Sequence, residues 1–190
     1  MNPIDSVWTE KHRPEKIAEV VGDFRDKVEK YLDKPDSIPH FLLYSKAPGT
    51  GKTSLAKAII KQLDCDALYL NSSDDRKIDT IREKVKEFAM TMSSKVGKRR
   101  IVFMDEFDGM LKASQEALKN IMETYQKNVI FILTANNIHK VIEPIQSRCQ
   151  KICLASPNKN EIAQYLEYIC KEEGMTCTPD GLKHLVDIQV

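Results

Sequence analysis

Short apolar runs alternate along the chain with longer segments in which apolar residues recur at helical spacing. Each run is about as long as a buried strand, and each spaced segment is about as long as a helix that faces a core. The predicted strands are residues 40–44, 67–71, 101–104, 129–134 and 151–154. The predicted helices are residues 23–33, 54–63, 78–92, 114–126 and 140–146. This alternation is typical of an α/β fold, in which helices cover both faces of a parallel sheet.

A domain boundary is expected at Ala155-Ser156-Pro157, where the alternation of strands and helices ends. The residues that follow predict one helix over 158–173 and another that begins near 178–180 and reaches the last residue without a stop signal. One or two helices cannot bury their apolar faces alone. We therefore expect a main domain in residues 1–155 and the start of a helical domain, cut short, in residues 156–190.

The charges of the chain are nearly balanced, because 29 Lys and Arg face 28 Asp and Glu, a formal net charge of +1. Overall charge therefore gives no argument for nucleic-acid binding, and such a partner would need a local basic surface. No apolar run approaches the length of a membrane span, and the first residues do not form a signal peptide. We therefore expect the protein to be cytoplasmic and not to bind membranes.

The five cysteines of the chain form no recognisable framework. They are Cys65, Cys149, Cys153, Cys170 and Cys177. An odd number without a C-x-x-C pair argues against both a set of disulfides and a zinc site. We therefore expect reduced thiols that are mostly buried.

A glycine-rich loop, residues 46–53, joins the first predicted strand to a predicted helix. It follows the phosphate-loop pattern G-x-x-x-x-G-K-[ST], except that Lys46 stands where the pattern has its first glycine. In such a loop, backbone N–H groups and the helix N-terminus bind phosphate oxygens, and Lys52 reaches the β- and γ-phosphates. The residues expected to bind nucleotide here are Pro48, Gly49, Thr50, Gly51, Lys52, Thr53 and Ser54. The alternative is a glycine-rich turn without a ligand.

Two acidic residues, Asp105 and Glu106, follow the apolar run that starts at Ile101. Asp105 is expected to hold Mg²⁺ together with the Thr53 hydroxyl, and Glu106 to orient and polarise an attacking water. The alternative is a buried strand with a polar end. The spacing from the phosphate loop suits a doubly wound sheet, in which strand ends converge on a ligand. The two motifs together predict that the chain binds a nucleoside triphosphate with Mg²⁺ and hydrolyses it.

Four further segments carry a resemblance to a known family. They are Trp8-Thr9-Glu10-Lys11-His12-Arg13-Pro14, Val20-Val21-Gly22, Thr134-Ala135-Asn136-Asn137 and Glu143-Pro144-Ile145-Gln146-Ser147-Arg148-Cys149. With the nucleotide motifs, they resemble the AAA+ sliding-clamp loader ATPases, which include replication factor C small subunits and the large subunit of T4-type phage clamp loaders. The resemblance extends from residue 7 to about residue 175 and looks closer to the phage branch. It implies an AAA+ P-loop core with a five-stranded parallel sheet, followed by part of an α-helical lid.

The resemblance also implies roles for single residues. Asn136 would be the sensor that contacts the γ-phosphate or the attacking water, unless it only forms a turn. Arg148 would be an arginine finger that acts in trans on ATP held by a neighbouring subunit, unless it only caps the short helix before it. The residues that would line the adenine and ribose pocket are Thr9, Glu10, Lys11, His12 and Val21. His12 stands where the family commonly has tyrosine, and no residue matches the family's sensor-2 arginine.

The function that the resemblance implies is an ATPase subunit that loads a ring-shaped clamp onto primer–template DNA during replication, with ATP and Mg²⁺ as cofactors. Its partners would be other loader subunits, the sliding clamp, and the DNA backbone. The candidates for DNA contact are Arg76, Lys77, Lys112 and Lys119, which could equally form a solvated helix face. The site of action would be the replisome, in the host cytoplasm if a phage encodes the chain.

Two other functions remain open. Another AAA+ machine, such as a helicase or an initiator, shares the core motifs. A protein unfoldase is disfavoured, because residues 71–76 contain no aromatic side chain for a pore loop. The chain could also be a nucleotide-binding fragment without catalytic activity, although Lys52, Thr53, Asp105 and Glu106 are all present.

Overall fold

The computed structural model contains one five-stranded sheet and describes residues 7–34, 37–72, 78–91 and 98–188. The strands are β1 (His40–Tyr44), β2 (Ala67–Asn71), β3 (Arg100–Asp105), β4 (Val129–Ala135) and β5 (Cys149–Cys153). All neighbours run parallel in the order β2-β3-β4-β1-β5. The α/β fold and the five-stranded parallel sheet are thus confirmed, and the carboxyl ends of all five strands lie at one edge of the sheet.

Eight α-helices surround this sheet or follow it in the part of the chain that the structure describes. They are α1 (Trp8–Lys11), α2 (Arg25–Leu32), α3 (Lys52–Leu63), α4 (Ile78–Met90), α5 (Lys112–Tyr125), α6 (Glu143–Gln146), α7 (Lys159–Glu172) and α8 (Pro179–Ile188). Single 3₁₀ turns are formed by Ile17–Glu19, Phe107–Gly109 and Ile138–Lys140. No helix among the described residues is long and apolar enough to cross a membrane.

The core consists of two apolar layers, one on each face of the sheet. Strand β4 lies at its centre, and all seven of its residues are buried. On one face, Phe41 and Ile132 pack with Leu55 of α3, and on the other, Phe131 packs with Leu118 of α5. Burial on both faces explains why the three inner strands, β1, β3 and β4, contain continuous apolar runs, as buried parallel strands usually do.

The helix predicted over 140–146 is wrong, because the structure divides this segment. A 3₁₀ turn ends at Lys140, and α6 begins at Glu143, with Val141 and Ile142 extended between them. Pro144 lies in the first turn of α6, where its missing N–H leaves no hydrogen bond unmade, but it could not lie in the interior of one longer helix.

The α7 and α8 helices pack against each other beyond β5. The α7 helix begins with a capping box, in which Asn158 accepts a hydrogen bond from the Glu161 backbone N–H at 2.9 Å and the Glu161 side chain accepts one from the Asn158 N–H at 2.8 Å. No residue of α7 is fully buried. The division into a core at 1–155 and a lid at 156–190 stays a prediction.

The expectation of reduced and mostly buried cysteines is wrong on both points. Cys170 and Cys177 form a disulfide. Of the other three, only Cys149 is buried, while Cys65 is half-buried and Cys153 is exposed. Counting cysteines could not reveal the pair, because the end of α7 and the turn at Gly174 bring the two side chains together in space.

Candidate functional site

The phosphate loop turns sharply between β1 and α3. Gly49 and Gly51 have φ angles of +70° and +83°, a left-handed conformation that L residues rarely adopt. The second of these turns leads straight into α3, which therefore begins at Lys52 rather than at the predicted residue 54. The unpaired N–H groups of the first turn of α3 point out of the helix end, where they can bind an anion.

The side chain of Lys52 lies over this loop. Lys52 is only 9% exposed, and its ammonium donates to the Ala47 carbonyl at 3.2 Å and to the Thr50 hydroxyl at 3.4 Å. Burial lowers the pKa of Lys52, while the negative charges of Asp108 and Asp105 oppose that shift. The cation is thus held beside the loop's N–H groups and near two carboxylates.

The acidic strand end meets the phosphate loop through Asp105. The Thr53 hydroxyl donates to the two Asp105 carboxylate oxygens at 3.2 and 3.1 Å, although the residues are 52 positions apart. The hydroxyl of Thr134, a residue that is 1% exposed, also donates to Asp105. A hydroxyl and a carboxylate at the edge of an anion site are the hard oxygen donors that Mg²⁺ prefers, so the donor set fits this ion.

Glu106 occupies an unusual backbone conformation directly after Asp105. Its φ is +52°, and its N–H donates to the Thr134 hydroxyl at 3.0 Å. Left-handed conformations of residues other than glycine cost free energy and often occur at functional sites. Thr134 thus fixes both acids, since it hydrogen-bonds to the Asp105 side chain and to the Glu106 backbone.

Asn136 lies just past the end of β4, where Asp108 holds its backbone. The Asp108 carboxylate accepts hydrogen bonds from the Asn136 N–H at 3.2 Å and the Asn137 N–H at 3.0 Å. The 3₁₀ turn after Glu106 is therefore joined to the end of the neighbouring strand. Sequence reasoning missed Asp108 and the contacts of Thr134, although both lie within or beside the quoted motifs.

These side chains line one cavity of about 420 Å³ at the carboxyl edge of the sheet. Its lining includes every predicted phosphate-loop residue together with both acids and the predicted sensor, and it adds two residues that sequence reasoning missed. The lining residues are Arg13, Pro48, Gly49, Thr50, Gly51, Lys52, Thr53, Ser54, Asp105, Glu106, Thr134 and Asn136. The structure therefore gathers the phosphate-binding and acidic groups into a single polar site.

Arg13 is the unexpected cation of this cavity. Its guanidinium forms an ion pair with Glu10, and its side chain is 24% exposed. The Nε atom is buried and has no hydrogen-bond partner among the described residues. A buried donor without a partner costs free energy and calls for an acceptor. The sequence contained a signal that could have identified Arg13 as a site residue. Arg13 directly follows Thr9–His12 in the Trp8–Pro14 segment, and those residues were already expected to bind nucleotide.

The other residues predicted for the adenine pocket do not line the phosphate cavity. Thr9, Glu10 and Lys11 lie in α1 and are exposed. His12 is mostly buried and pairs with Glu173 at the end of α7. Val21 is half-buried and lines a second cleft, of about 260 Å³, together with Tyr165 of α7.

Arg148 lies away from the phosphate cavity of its own chain. Its guanidinium donates to the Pro144 carbonyl at 2.6 Å and forms an ion pair with Glu123 of α5. The side chain is 34% exposed. Arg148 is not among the residues that line the phosphate cavity, and its role as an arginine finger stays a prediction.

The residues suggested for DNA contact have different surroundings. Lys112 is exposed at the start of α5. Lys119 pairs with Glu116 at 3.4 Å within the same helix, which reduces its availability for phosphate. Arg76 and Lys77 lie outside the described residues.

Comparisons with known proteins place the chain in a family. The model of the ATPase family associated with various cellular activities (AAA) matches residues 41–156. The chain is 40% identical over 188 residues to the replication factor C small subunit of Halobacterium salinarum, with coverage of 95% of this chain and 57% of that protein. It is 39% identical over 189 residues to the Archaeoglobus fulgidus replication factor C small subunit, with 96% and 59% coverage. The chain thus spans less than two thirds of these relatives, and the expected resemblance to replication factor C small subunits is confirmed.

Solved structures share the fold. A variant of RuvB from Thermotoga maritima superposes with a TM-score of 0.76 at 18% identity, over 92% of this chain and 59% of that one. Identity this low shows common architecture and does not separate one kind of motor from another. The predicted closeness to T4-type phage loaders stays a prediction.

Proposed function

We propose that this chain, which belongs to the AAA family of ATPases, is the ATP-hydrolysing part of a clamp-loader subunit of the replication factor C small-subunit type. One observation carries the proposal: a single cavity contains the phosphate loop, the Thr53–Asp105 pair, Glu106 and Asn136. These are the groups that phosphoryl transfer to water requires, namely phosphate positioning, charge stabilisation and an oriented nucleophile. The similarity to replication factor C small subunits supports the choice of a clamp loader among AAA ATPases.

The triphosphate is bound by the phosphate loop and two cations. Backbone N–H groups at Gly49 to Thr53 face its β-phosphate, and Lys52 leaves its loop acceptors to reach the β- and γ-phosphates. Arg13, which lines the same cavity, also donates to the phosphates. Thr53 and Asp105 would hold Mg²⁺, which neutralises developing charge on the phosphate oxygens when it is bound.

The attacking water is held by Glu106 and Asn136. The Glu106 carboxylate accepts a hydrogen bond from the water, and the Asn136 amide contacts the water or the γ-phosphate. Thr134 keeps Glu106 in place by accepting a hydrogen bond from the Glu106 N–H. Asp108 does the same for Asn136 by accepting from the Asn136 N–H. Catalysis of this kind depends on position more than on covalent chemistry.

Adenine and ribose bind outside the phosphate cavity, between the segment Thr9–His12 and Val21. Because α7 forms one wall of the cleft at Val21, nucleotide binding here joins the sheet core to the lid. The lid assignment of residues 156–190 is part of this proposal.

Assembly completes the site. Arg148 is directed to ATP on a neighbouring subunit, so that hydrolysis depends on the assembled spiral. The spiral holds a sliding clamp and encloses primer–template DNA, whose phosphates meet cations such as Lys112 in a contact blind to base sequence. Entry of DNA aligns the catalytic groups, and hydrolysis then releases the clamp on DNA.

The proposal is tested by ATP hydrolysis of this chain and of a longer chain that continues past Val190, each with and without a primer–template duplex and a ring-shaped clamp. The expected result is stimulation by DNA and clamp in the longer chain. ATP binding without stimulation in either chain would favour another AAA+ machine, such as a helicase or an initiator. Absence of hydrolysis under all conditions, with ATP bound, would favour a non-catalytic nucleotide-binding fragment.

Replacing Arg13 by Ala is expected to weaken ATP binding by about 10- to 100-fold, because charge-assisted hydrogen bonds contribute about 1.5–3 kcal/mol. Replacing it by Lys keeps the charge but loses the guanidinium fork, and should recover only part of the affinity. Isothermal titration with ATP measures the change. Arg82→Ala in α4, where Arg82 pairs only with Asp79 among the contacts described, is the matched control. Equal ATP affinity of Arg13→Ala and the control would remove Arg13 from the binding site.

A further inference from the structure

The segment predicted to line the adenine pocket is fastened to the lid by contacts from α7. At the carboxyl end of this helix, Glu173 accepts from the Lys11 ammonium at 2.7 Å and pairs with the His12 imidazole at 2.5 Å. The side chains of Glu173 and His12 are 15% and 9% exposed, so their pair is largely shielded from solvent. These contacts join residues more than 160 positions apart in the chain.

A second contact lies two turns earlier in α7. The Tyr165 hydroxyl donates to the His12 carbonyl, which belongs to the residue that caps α1. The Tyr165 side chain also lines the cleft that contains Val21. Tyr165 therefore touches both parts of the proposed adenine site, the end of Thr9–His12 and the Val21 wall.

The local structure at Glu173 fixes the position of its carboxylate. Glu173 caps α7, and Gly174 reverses the chain with a φ of +66°. The Cys170–Cys177 disulfide closes the loop that contains both residues. A carboxylate at a helix C-terminus is electrostatically unfavourable by itself, so the ion pair with Lys11 and the hydrogen bond with His12 offset a cost that the helix end imposes. Hydrogen bonds from Lys11 and then His12 lower the pKa of Glu173 and keep it ionised.

We propose that Glu173 and Tyr165 are positioning residues for ATP, which hold the segment Thr9–His12 in the conformation that receives the adenine ring. The proposal rests on the function proposed above, since it takes that segment as the adenine site. The lid thereby contributes to ATP affinity through the shape of the pocket, without touching the phosphates. Binding of the base and docking of the lid are coupled, and each favours the other.

The test compares two ligands on the full chain, Mg-ATP and inorganic Mg-tripolyphosphate, which has the phosphates but lacks the base. Glu173→Ala is expected to weaken ATP binding by about 3- to 10-fold and to leave tripolyphosphate binding within about 2-fold. Tyr165→Phe, which removes only the hydroxyl, should weaken ATP binding in the same selective way by about 2- to 5-fold. Glu173→Gln keeps an acceptor for Lys11 and should retain part of the affinity. Glu172→Ala, at the exposed neighbouring position in α7, is the matched control and should change neither ligand.

Trp8 gives a second measurement that needs no nucleotide. It is the single tryptophan of the chain, and its ring meets the His12 ring edge-on at 6.4 Å between centroids. Glu173→Ala should change Trp8 emission in the unliganded chain, whereas Glu172→Ala should not. A selective loss of ATP affinity with altered Trp8 emission supports the proposal.

Three results would overturn it. Equal weakening for both ligands would show a general structural effect of Glu173. Unchanged ATP affinity in Glu173→Ala and Tyr165→Phe, with normal binding by the unmodified chain, would refute the positioning role and leave the proposed function standing. Failure of the unmodified chain to bind ATP at all would refute the proposed function, and the positioning role with it.

Discussion

Glu106→Gln is expected to bind ATP with nearly unchanged affinity and to hydrolyse it about 10²–10⁴-fold more slowly, the usual contribution of a positioned general base. Gln preserves the size of the side chain and the left-handed backbone at this position, but it cannot polarise water as a carboxylate does. Since the Glu106 N–H still donates to Thr134, the cavity should keep its shape. Single-turnover hydrolysis and equilibrium ATP binding, measured on the same preparation, separate the two effects.

The control for this change is Glu116→Gln, a change of the same kind at an exposed position of α5. It should bind and hydrolyse ATP as the unmodified chain does. If Glu106→Gln turned over ATP at the unmodified rate, Glu106 would have no part in hydrolysis. Equal loss of binding and hydrolysis would instead assign it to nucleotide binding.

Arg148→Ala is expected to keep ATP binding and to lose hydrolysis in the assembled complex by about 10³–10⁵-fold, the usual contribution of an arginine finger. That factor equals roughly 4–7 kcal/mol of barrier. In the single chain, Arg148 pairs with the partly exposed Glu123. An ion pair of this kind contributes only about 0–1 kcal/mol, so a neighbour's phosphate can displace it. The slow hydrolysis of an isolated chain should therefore be unaffected.

A mixing experiment tests whether the finger acts in trans. Complexes built only from Arg148→Ala subunits, or only from Glu106→Gln subunits, should both be nearly inactive. A complex containing both should regain activity, because a Glu106→Gln neighbour can supply Arg148 to a subunit whose own Glu106 is intact. Absence of any gain on mixing would show that both groups must come from one chain, and a normal rate for Arg148→Ala would exclude the finger role. Arg148→Lys, which keeps the charge without the planar fork, should recover little of the rate.

The residues of the phosphate loop could be predicted from the sequence because their chemistry is local. The spacing of Gly49, Gly51, Lys52 and Thr53 specifies a turn and a helix start within a few residues, and the structure has both. The structure also gives β1 and β2 the predicted bounds. One error arose at Pro144, whose ring favours the first turn of a new helix and disfavours the single helix predicted over residues 140–146.

The sequence by itself determined the class of fold, the strands, and the phosphate and acidic motifs, since these depend on periodicity and on neighbours in the chain. Only the tertiary structure decided that Arg13 faces the phosphate cavity, that Asp108 holds the end of β4, and that Glu173 reaches α1. Strand order and helix packing bring these groups together across tens of residues. Contacts of this kind depend on distances between residues in the folded state. Those distances cannot be read from the pattern of neighbouring residues in the chain.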